Sequence, residues 1–202
     1  MLPFREPTAE GFHVLIADAD PQQSAQSWAT VAGNNGSPAP TVVGVTAGFH
    51  RPGQLPELAR GYDFTIIDTP PNDGGLVRSA LMVARLALLP VIPGALEVWV
   101  LGETLKLVED AQTFNTDLEH RVLLNAAMRT RLTQNTREAL EELGGVVMKS
   151  EIGRRTDIAE AIAFGVGVTV HAPKSKAAAE VRAAVDEVLE VLSGRAALRV
   201  AG

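Results

Sequence analysis

Three aspartates that follow apolar runs are the residues of this sequence best placed to do chemistry. Asp18 directly follows the run Val14–Ala17, and Asp20 comes two residues later. Asp68 directly follows a second run, Phe64–Ile67. Short apolar runs are typical of buried parallel strands, and open α/β sheets bind ligands at the carboxyl ends of such strands. Three carboxylates that converge at this edge would repel one another and favour a bound cation or partner.

Each aspartate also has a purely structural interpretation. Asp20 precedes Pro21, and this pair is typical of a helix start, because aspartate accepts a hydrogen bond from a free amide and proline fits the first helical position. Asp68 could simply end its strand before Thr69-Pro70-Pro71. The sequence leaves both interpretations open for each residue taken alone, and it favours a ligand site only for the three together.

The elements that would position these acids alternate between strand and helix. A helix is predicted over Pro21–Ala32 and a long final helix after Ser175, which can cap it. The predicted strands that complete the sheet are Thr41–Val45, Leu86–Ile92, Arg121–Asn125, Val146–Met148 and Val168–Val170. We therefore expect a single α/β domain over residues 1–202, with an irregular arm over Met1–Gly11 and a mostly parallel, doubly wound sheet of six or seven strands with helices on both faces.

Composition sets the outer bounds on function. The chain has 202 residues, of which 46% are hydrophobic and 21% charged, and this is enough for one sizeable core. The net charge of −6 argues against nucleic-acid binding by the whole surface but permits a local basic patch. There is no cysteine and no apolar run of about 20 residues, so we expect a cytoplasmic protein with no membrane partner.

Two stretches carry a resemblance to a known family. Val14–Gln22, which reads Val-Leu-Ile-Ala-Asp-Ala-Asp-Pro-Gln, closely resembles the Asp-x-Asp-Pro-Gln motif of the ParA/MinD family of partition ATPases. Phe64–Pro71 is similar to the Walker B segment of that family. The order and spacing of the later segments also agree, so the resemblance covers nearly the whole chain and implies a P-loop NTPase fold.

The resemblance implies roles for four residues. Asp20 would orient the attacking water with support from Asp18, and Asp68 would hold Mg²⁺ through water. Asn125 would read the adenine of ATP, since an amide offers both the donor and the acceptor that adenine requires. The sequence alone allows a second role for Asn125, which could cap the turn that follows its strand.

One part of the family pattern is not found in this sequence. The phosphate loop should lie about one βα unit before Val14, but no Gly-Lys-Ser or Gly-Lys-Thr occurs anywhere, and none of the four lysines follows a glycine. We therefore expect a fold that lacks the first βα unit. Three outcomes stay open: the Phe64 strand and the Leu86 strand pair directly, another chain fills the gap, or the true start lies upstream of Met1.

A basic segment offers a surface for nucleic acid. Residues 121–155 contain seven arginines and lysines against four acids, a local net charge of +3. Such charge is usually a solvated face with scattered ion pairs. The resemblance, however, implies nonspecific DNA binding through phosphates, and we expect salt-sensitive contacts from Arg154, Arg155, Lys174 and Lys176.

Three functions follow. The first is an atypical ParA-like partition protein for a plasmid or chromosome that acts as a homodimer through DNA or a ParB-like partner and hydrolyses little or no ATP by itself. The second is a working ParA-type ATPase whose phosphate loop lies upstream or is supplied in trans. The third is a non-enzymatic adaptor that keeps the family fold for protein contacts, with no need for ATP or Mg²⁺.

Overall fold

The computed structural model describes residues 11–70 and 73–200, and it describes the side chains of the final helix up to residue 194. The predicted arm Met1–Gly11 lies outside these residues except for Gly11. The described strands and helices alternate along most of the chain. In chain order they are β1 (Val14–Asp18), α1 (Ser24–Asn34), β2 (Thr41–Gly44), α2 (Leu55–Ala59), β3 (Phe64–Asp68), α3 (Gly74–Leu81), β4 (Leu86–Val91), α4 (Ala95–Gln112), β5 (Glu119–Ala127), α5 (Arg131–Glu142), β6 (Val147–Gly153), α6 (Thr156–Ala163), α7 (Val168–His171) and α8 (Lys176–Val200).

The described residues divide into two compact units. Unit 1 takes in those of Met1–Val83 and Ala159–His171, and unit 2 takes in those of Ala84–Ile158 and Ala172–Gly202. Each unit contains a three-stranded sheet in which all neighbouring strands are parallel, in the order β2-β1-β3 in unit 1 and β4-β5-β6 in unit 2. Parallel neighbours need crossover connections, and helices supply them here. The predicted parallel α/β fold class is confirmed.

Unit 1 is built around β1, which lies between the other two strands of its sheet. The register places Asp18 opposite Gly44 on β2 and opposite Asp68 on β3, so the two acids end neighbouring strands at the same level. The core of this unit is apolar. Its buried members are Leu15, Ala17, Ala19, Phe49, Leu55, Leu76 and Ala80.

Unit 2 is built around β5, which is apolar on both faces. One cluster of buried side chains joins β4 and β5 to the helices α4 and α5, and its members are Val91, Val98, Leu101, Val122, Leu124 and Leu140. A second cluster joins Leu123 and Met148 to Ala184 of α8. Burial on both faces explains why the middle of β5 reads as a continuous apolar run.

Each ladder of the structure lies within one unit. Among the described residues, β3 has a ladder to β1 in unit 1, and β4 has a ladder to β5 in unit 2. The three possibilities for the first βα unit, and the prediction of a single domain, stay predictions.

Two predicted elements differ from the structure. Val168–Val170 was expected to be the last strand, but these residues form α7, in which the amides of Val170 and His171 bond to the carbonyl of Gly167. The β-branched residues favour a strand only weakly, and the local helical turn prevails. The first helix begins at Ser24 rather than Pro21, because Asp20 accepts bonds from the amides of Gln22 and Gln23 and holds them in a turn.

The helices were also compared with the length and apolarity that a membrane span requires. No helix in the described part of the chain meets both criteria.

Candidate functional site

Asp18 is a buried charge with two backbone partners. Its side chain is almost inaccessible to solvent, with 2% of the residue exposed. One carboxylate oxygen accepts a bond from the amide of Asp20 at 3.1 Å, and the other accepts a bond from the amide of Gln26 at 3.2 Å. Gln26 lies in the first turn of α1, whose own N-cap residue, Gln23, makes no side-chain cap bond. Asp18 therefore caps α1 from the neighbouring strand.

Asp20 sits in the turn between β1 and α1 and is only partly buried. One of its carboxylate oxygens accepts a bond from the amide of Gln22 at 2.8 Å, which is a local turn bond. The residue that follows this turn, Gln23, adopts a left-handed backbone with φ 55°. The structural interpretation of Asp20 as a helix cap is thus wrong in detail, since Asp20 organises a turn and lies four residues before α1 begins at Ser24.

Asp68 completes the group from the neighbouring strand. Its carbonyl accepts a bond from the amide of Ala19 at 2.8 Å, which ties the acid-bearing ends of β1 and β3 together. Burial of its carboxyl, together with the negative charges of Asp18 and Asp20, raises the pKa of Asp68 above its ordinary value. The structure thus brings the three predicted acids together, and a cation at this edge would reduce the repulsion among their charges.

The three acids do not form a metal cage of their own. No group of three or more His, Cys, Asp or Glu side chains within residues 11–70 and 73–200 is arranged to hold a metal ion. Asp18 is buried and holds two backbone amides, so the more accessible Asp20 and Asp68 are the carboxylates best placed for a cation. This donor set fits Mg²⁺, which usually binds one or two carboxylates and keeps several waters or phosphate oxygens.

We expect an Asp→Asn substitution to raise stability at Asp68 and to lower it at Asp18. Asp68→Asn removes a carboxylate that is costly to ionise, so it should raise the melting temperature at pH 7 by about 1–2 °C, a small gain because solvent screens this exposed group. The raised pKa means that the gain should shrink as the pH falls through that pKa, where Asp68 of the original chain becomes neutral. Asp18→Asn should instead cost about 1.5–3 kcal/mol, because one amide loses its charged acceptor.

Thermal unfolding of both variants from pH 3 to pH 8, without divalent cations, checks this pair. A lower melting temperature for Asp68→Asn at pH 7 would contradict the electrostatic interpretation of the cluster.

Asn125 lies on β5 in unit 2 and is half-buried. Its side-chain oxygen accepts a bond from the amide of Ala126 at 2.9 Å, and Ala126 has a left-handed φ of 51°. This bond supports the turn-capping alternative, because it uses the acceptor that an adenine amino group would need. The adenine role of Asn125 stays a prediction.

The four predicted DNA-binding cations all lie in unit 2 but are not equally available. Arg155 donates to both oxygens of Glu180, at 2.7 and 3.3 Å, and Lys176 lies 3.8 Å from the same carboxylate. Arg154 and Lys174 are exposed, and no ion pair involves either of them in the part of the chain that the structure describes. The pair that remains most available to a phosphate is therefore Arg154 and Lys174.

Two acids of α8 were not anticipated. The carboxylate of Glu187 accepts bonds from the amides of Lys149 and Ser150, both at 3.0 Å, and that of Glu180 accepts a bond from the amide of Gly153 at 3.0 Å. These glutamates are seven residues apart and thus share one helix face, which is visible in the sequence. Their partners lie 27 to 38 residues away, so the sequence offered no signal for the contacts themselves.

An open hollow of about 640 Å³ lies beside the carboxyl end of β2 in unit 1. It is lined by residues 43–49, 51–55 and 58, and Arg51 is its only charged lining residue. None of the three aspartates lines it. The hollow therefore adds nothing to the acid site, which is defined by strand register and charge rather than by a cavity.

Parallel strands joined by helical crossovers, two of which end in paired acids, define an α/β protein. The septum site-determining protein MinD of Pyrococcus horikoshii, solved with Mg-ADP, has this fold, with a TM-score of 0.61 at 18% identity over 88% of this chain and 83% of that one.

Two relatives are similar in sequence. Maintenance of carboxysome distribution protein A of Halothiobacillus neapolitanus is 29% identical over 184 residues, which cover 89% of this chain and 81% of that protein. Chromosome-partitioning ATPase Soj of Thermus thermophilus is 27% identical over 212 residues, which cover 89% and 84%. No protein-family model matches the chain. In sequence and fold the chain is therefore similar to proteins of the ParA/MinD family.

Proposed function

We propose that this chain is an atypical ParA-like partition or positioning protein of the cytoplasm that works as a homodimer and contacts DNA or a ParB-like partner. The observation that carries the proposal is the pairing of Asp18 with Asp68 at the carboxyl edge of a parallel sheet, with Asp20 beside them. The relatives named for carboxysome distribution and for chromosome partitioning support a role in placing a large cargo. Which cargo this chain places, a plasmid among them, is part of the proposal.

The three aspartates have different proposed roles, one structural and two chemical. Asp18 acts as a positioning residue, because both of its oxygens hold backbone amides and fix the turn that carries Asp20. Asp20 is the carboxylate that would orient a water, and Asp68 is the one that would bind Mg²⁺ through water. Mg²⁺ would supply charge neutralisation for a triphosphate beside these acids.

Little or no ATP hydrolysis is expected from this chain by itself. A phosphate cradle needs consecutive amides at a helix N-terminus and a lysine, and the sequence contains no Gly-Lys-Ser or Gly-Lys-Thr to provide them. Each charge-assisted hydrogen bond that is missing removes about 1.5–3 kcal/mol of binding free energy. Several such bonds correspond to several decades of nucleotide affinity.

The second candidate is a working ParA-type ATPase whose phosphate loop is supplied in trans or lies upstream. The convergence of Asp18, Asp20 and Asp68 at one sheet edge favours it, because a group of carboxylates suits the Mg²⁺ of Mg-ATP. Calorimetric titration with ATP and Mg²⁺, with Asn125→Ala as the companion variant, separates the two candidates. Binding that Asn125→Ala weakens supports a retained nucleotide site, and no heat at millimolar nucleotide supports a fold kept for DNA or protein contacts.

The DNA contact is expected to depend on Arg154 and Lys174 more than on Arg155 and Lys176. Neither residue of the first pair has an ion pair among the described residues, whereas those of the second share the carboxylate of Glu180. A cation already paired with a carboxylate must give up that pair to bind a phosphate, so its net gain is smaller. Nonspecific phosphate contacts need only available charge.

Removing Arg154 and Lys174 together should weaken binding to arbitrary duplex DNA and flatten its salt dependence. Each lost phosphate contact should reduce the slope of log K against log salt by about 0.9, so the double alanine variant should lose nearly two units. Fluorescence anisotropy over a salt series measures this slope. Lys106→Ala is the matched control, because Lys106 is an exposed lysine of unit 2 whose ion pair is with Glu103.

If the original chain does not bind DNA at low salt, the proposed DNA contact is wrong. The adaptor function, in which the fold serves protein contacts only, would then be the one to pursue.

A further inference from the structure

The hollow beside β2 is formed by a loop whose two ends are anchored in the core of unit 1. Phe49 and Leu55 lie at these ends, and both are buried in the apolar core. The amide of Leu55 bonds to the carbonyl of Phe49 at 3.1 Å, which closes residues 49–55 into a compact loop. The amide of Val45, on the other side of the hollow, bonds to the carbonyl of Asp18 at 2.9 Å. A hollow of about 640 Å³ between anchored segments has the size of a preformed small-molecule site.

Arg51 gives this hollow a positive charge that no lining acid neutralises. None of the residues that line the hollow is an aspartate or a glutamate, although the chain contains 24 of them. Within the described ranges, 11–70 and 73–200, no ion pair or hydrogen bond involves the guanidinium of Arg51. Its Nε lies 3.5 Å from the position that a Cβ on Gly48 would take, so the side chain lies against the turn at Gly48. An unpaired guanidinium is suited to bind a carboxylate or a phosphate.

The backbone of the same loop adds hydrogen-bond donors. Gly48 and Gly53 have left-handed φ values of +90° and +80°, which glycine adopts without strain. The amides of Ala47, Gly48 and Gly53 donate to no other group in the part of the chain that the structure describes. Turns of this kind form concave sites in which backbone amides bind an anion.

We propose that the hollow beside β2 binds a small organic anion, which is a carboxylate or a phosphate monoester joined to an apolar body. The anionic group would bind the guanidinium of Arg51 and the amides of the two glycine turns. The body would pack against the apolar residues that line the hollow, which are Val43, Val45, Phe49, Leu55 and Leu58. A bare phosphate would leave most of the volume unfilled, so the apolar lining favours a ligand with a body.

This site is separate from the acid site. Asp18, Asp20 and Asp68 do not line the hollow. A ligand there needs no Mg²⁺, because Arg51 already supplies the positive charge. The inference therefore does not depend on the proposed partition role.

Nuclear magnetic resonance of the ¹⁵N-labelled chain tests the site with two probes, phenyl phosphate and benzoate, in the absence of Mg²⁺. Each probe should shift the amide signals of Ala47, Gly48 and Gly53 in a saturable way, with a dissociation constant of about 1 mM. The probe that binds more tightly shows which anionic group the hollow prefers. Inorganic phosphate should bind about tenfold more weakly than phenyl phosphate, because it has no apolar body.

Substitution of Arg51 separates its charge from the apolar lining. Arg51→Ala should weaken the binding of both probes by about tenfold to a hundredfold, which is the loss expected when a charge-assisted hydrogen bond is removed. Arg51→Lys, which keeps the charge, should retain part of the affinity. Arg60→Ala is the matched control and should leave the affinity unchanged, because Arg60 is an exposed arginine that pairs with Glu57 and does not line the hollow. The amide signals outside the loop show whether each variant is folded.

Four results would overturn the assignment. The first three are no saturable shift with either probe at about 10 mM, an Arg51→Ala variant that binds as tightly as the original chain, and a neutral phenol that binds as tightly as phenyl phosphate. The fourth is a set of shifts that centres on Asp18, Asp20 and Asp68 and requires Mg²⁺, which would place the anion at the acid site. The proposed partition role survives each of these results.

Discussion

Gly165→Ala is expected to destabilise the protein by about 2–5 kcal/mol, one of the largest effects of any single methyl group in this chain. Gly165 follows α6 in unit 1 with a φ of +73°, a conformation that costs an alanine about 1–2 kcal/mol. A Cβ at this position would lie 2.3 Å from the backbone nitrogen of Ala32 and 2.7 Å from its Cα. Backbone atoms cannot rotate away as a side chain can, so the two segments must separate.

The strain would reach the acid site through α1. Ala32 is fully buried in that helix, and Asn35 just beyond it donates to the carbonyl of Phe164 at 3.1 Å. The other end of α1 supplies the Gln26 amide that holds Asp18. Displacement of α1 should therefore loosen the turn that carries Asp20 and not only lower global stability.

Urea unfolding monitored by Trp28, which lies on α1, measures the effect in a Trp99→Phe background. Gly36→Ala is the matched control: Gly36 also has a positive φ, +65°, but a Cβ there would meet nothing within 4 Å. Gly36→Ala should cost only the free energy of holding an alanine at positive φ, about 1–2 kcal/mol. Equal costs at the two glycines would mean that the close approach of Gly165 to Ala32 does not constrain the fold.

The acid site shows how much of this molecule the sequence could predict. Apolar runs that end in Asp18 and Asp68 were enough to predict parallel strands with their acids side by side, because strand polarity alone decides which ends meet. The capping of α1 by Asp18 could not be predicted. That contact spans eight residues and depends on how the chain turns between strand and helix, which Asp20 and Gln23 decide.

Other features were beyond prediction because they depend on distant neighbours. Val168–Val170 has strand-forming residues, but only the fold decides whether a strand lies beside them, and none of the described strands pairs with them. Arg155 was predicted to contact DNA, and nothing in the sequence indicated that Glu180, 25 residues later, holds it in a two-point ion pair. Sequence patterns predict elements well and contacts across long loops poorly.

Acid conditions and the loss of two glutamates are expected to release α8 from β6 in the same way. The register of β6 against β5 is irregular, and such irregularities leave backbone amides without a ladder partner. The carboxylates of Glu180 and Glu187 accept bonds from the amides of Gly153, Lys149 and Ser150. These bonds fasten the final helix to the edge strand of unit 2 and hold Arg155 beside it.

The pKa directions decide the pH at which the attachment weakens. The hydrogen bond from Arg155 lowers the pKa of Glu180 below its ordinary value. Burial opposes ionisation of Glu187, but the bonds from Ser150 and Lys149 outweigh it, so the pKa of this group is also lowered. A lowered pKa means that the stabilisation is fully present above the unfolded value, about 4.5, and is lost as the pH falls through the folded values.

Glu180→Gln and Glu187→Gln combined should therefore cost about 2–4 kcal/mol at pH 7, since each removes charge-assisted hydrogen bonds that are partly exposed to solvent. The difference from the original chain should shrink steadily below pH 4.5, because acid neutralises the same carboxylates in the original chain. Urea titrations at half-unit pH steps measure this convergence, and hydrogen exchange at Lys149, Ser150 and Gly153 shows whether the loss is local. Glu190→Gln, on the same helix, is the control and should change stability by no more than about 0.5 kcal/mol.

The hydrogen-exchange experiment distinguishes local attachment of α8 to β6 by Glu180 and Glu187 from a general contribution of their charge to stability. If the three amides of β6 exchange faster in the double variant while those of β5 stay protected, α8 is held by these glutamates, and Arg155 depends on them for its position. If all amides of unit 2 speed up together, the carboxylates act only through global stability. A double variant as stable as Glu190→Gln at pH 7 would contradict this attachment of α8 to β6. Arg155 would then be available to bind a DNA phosphate.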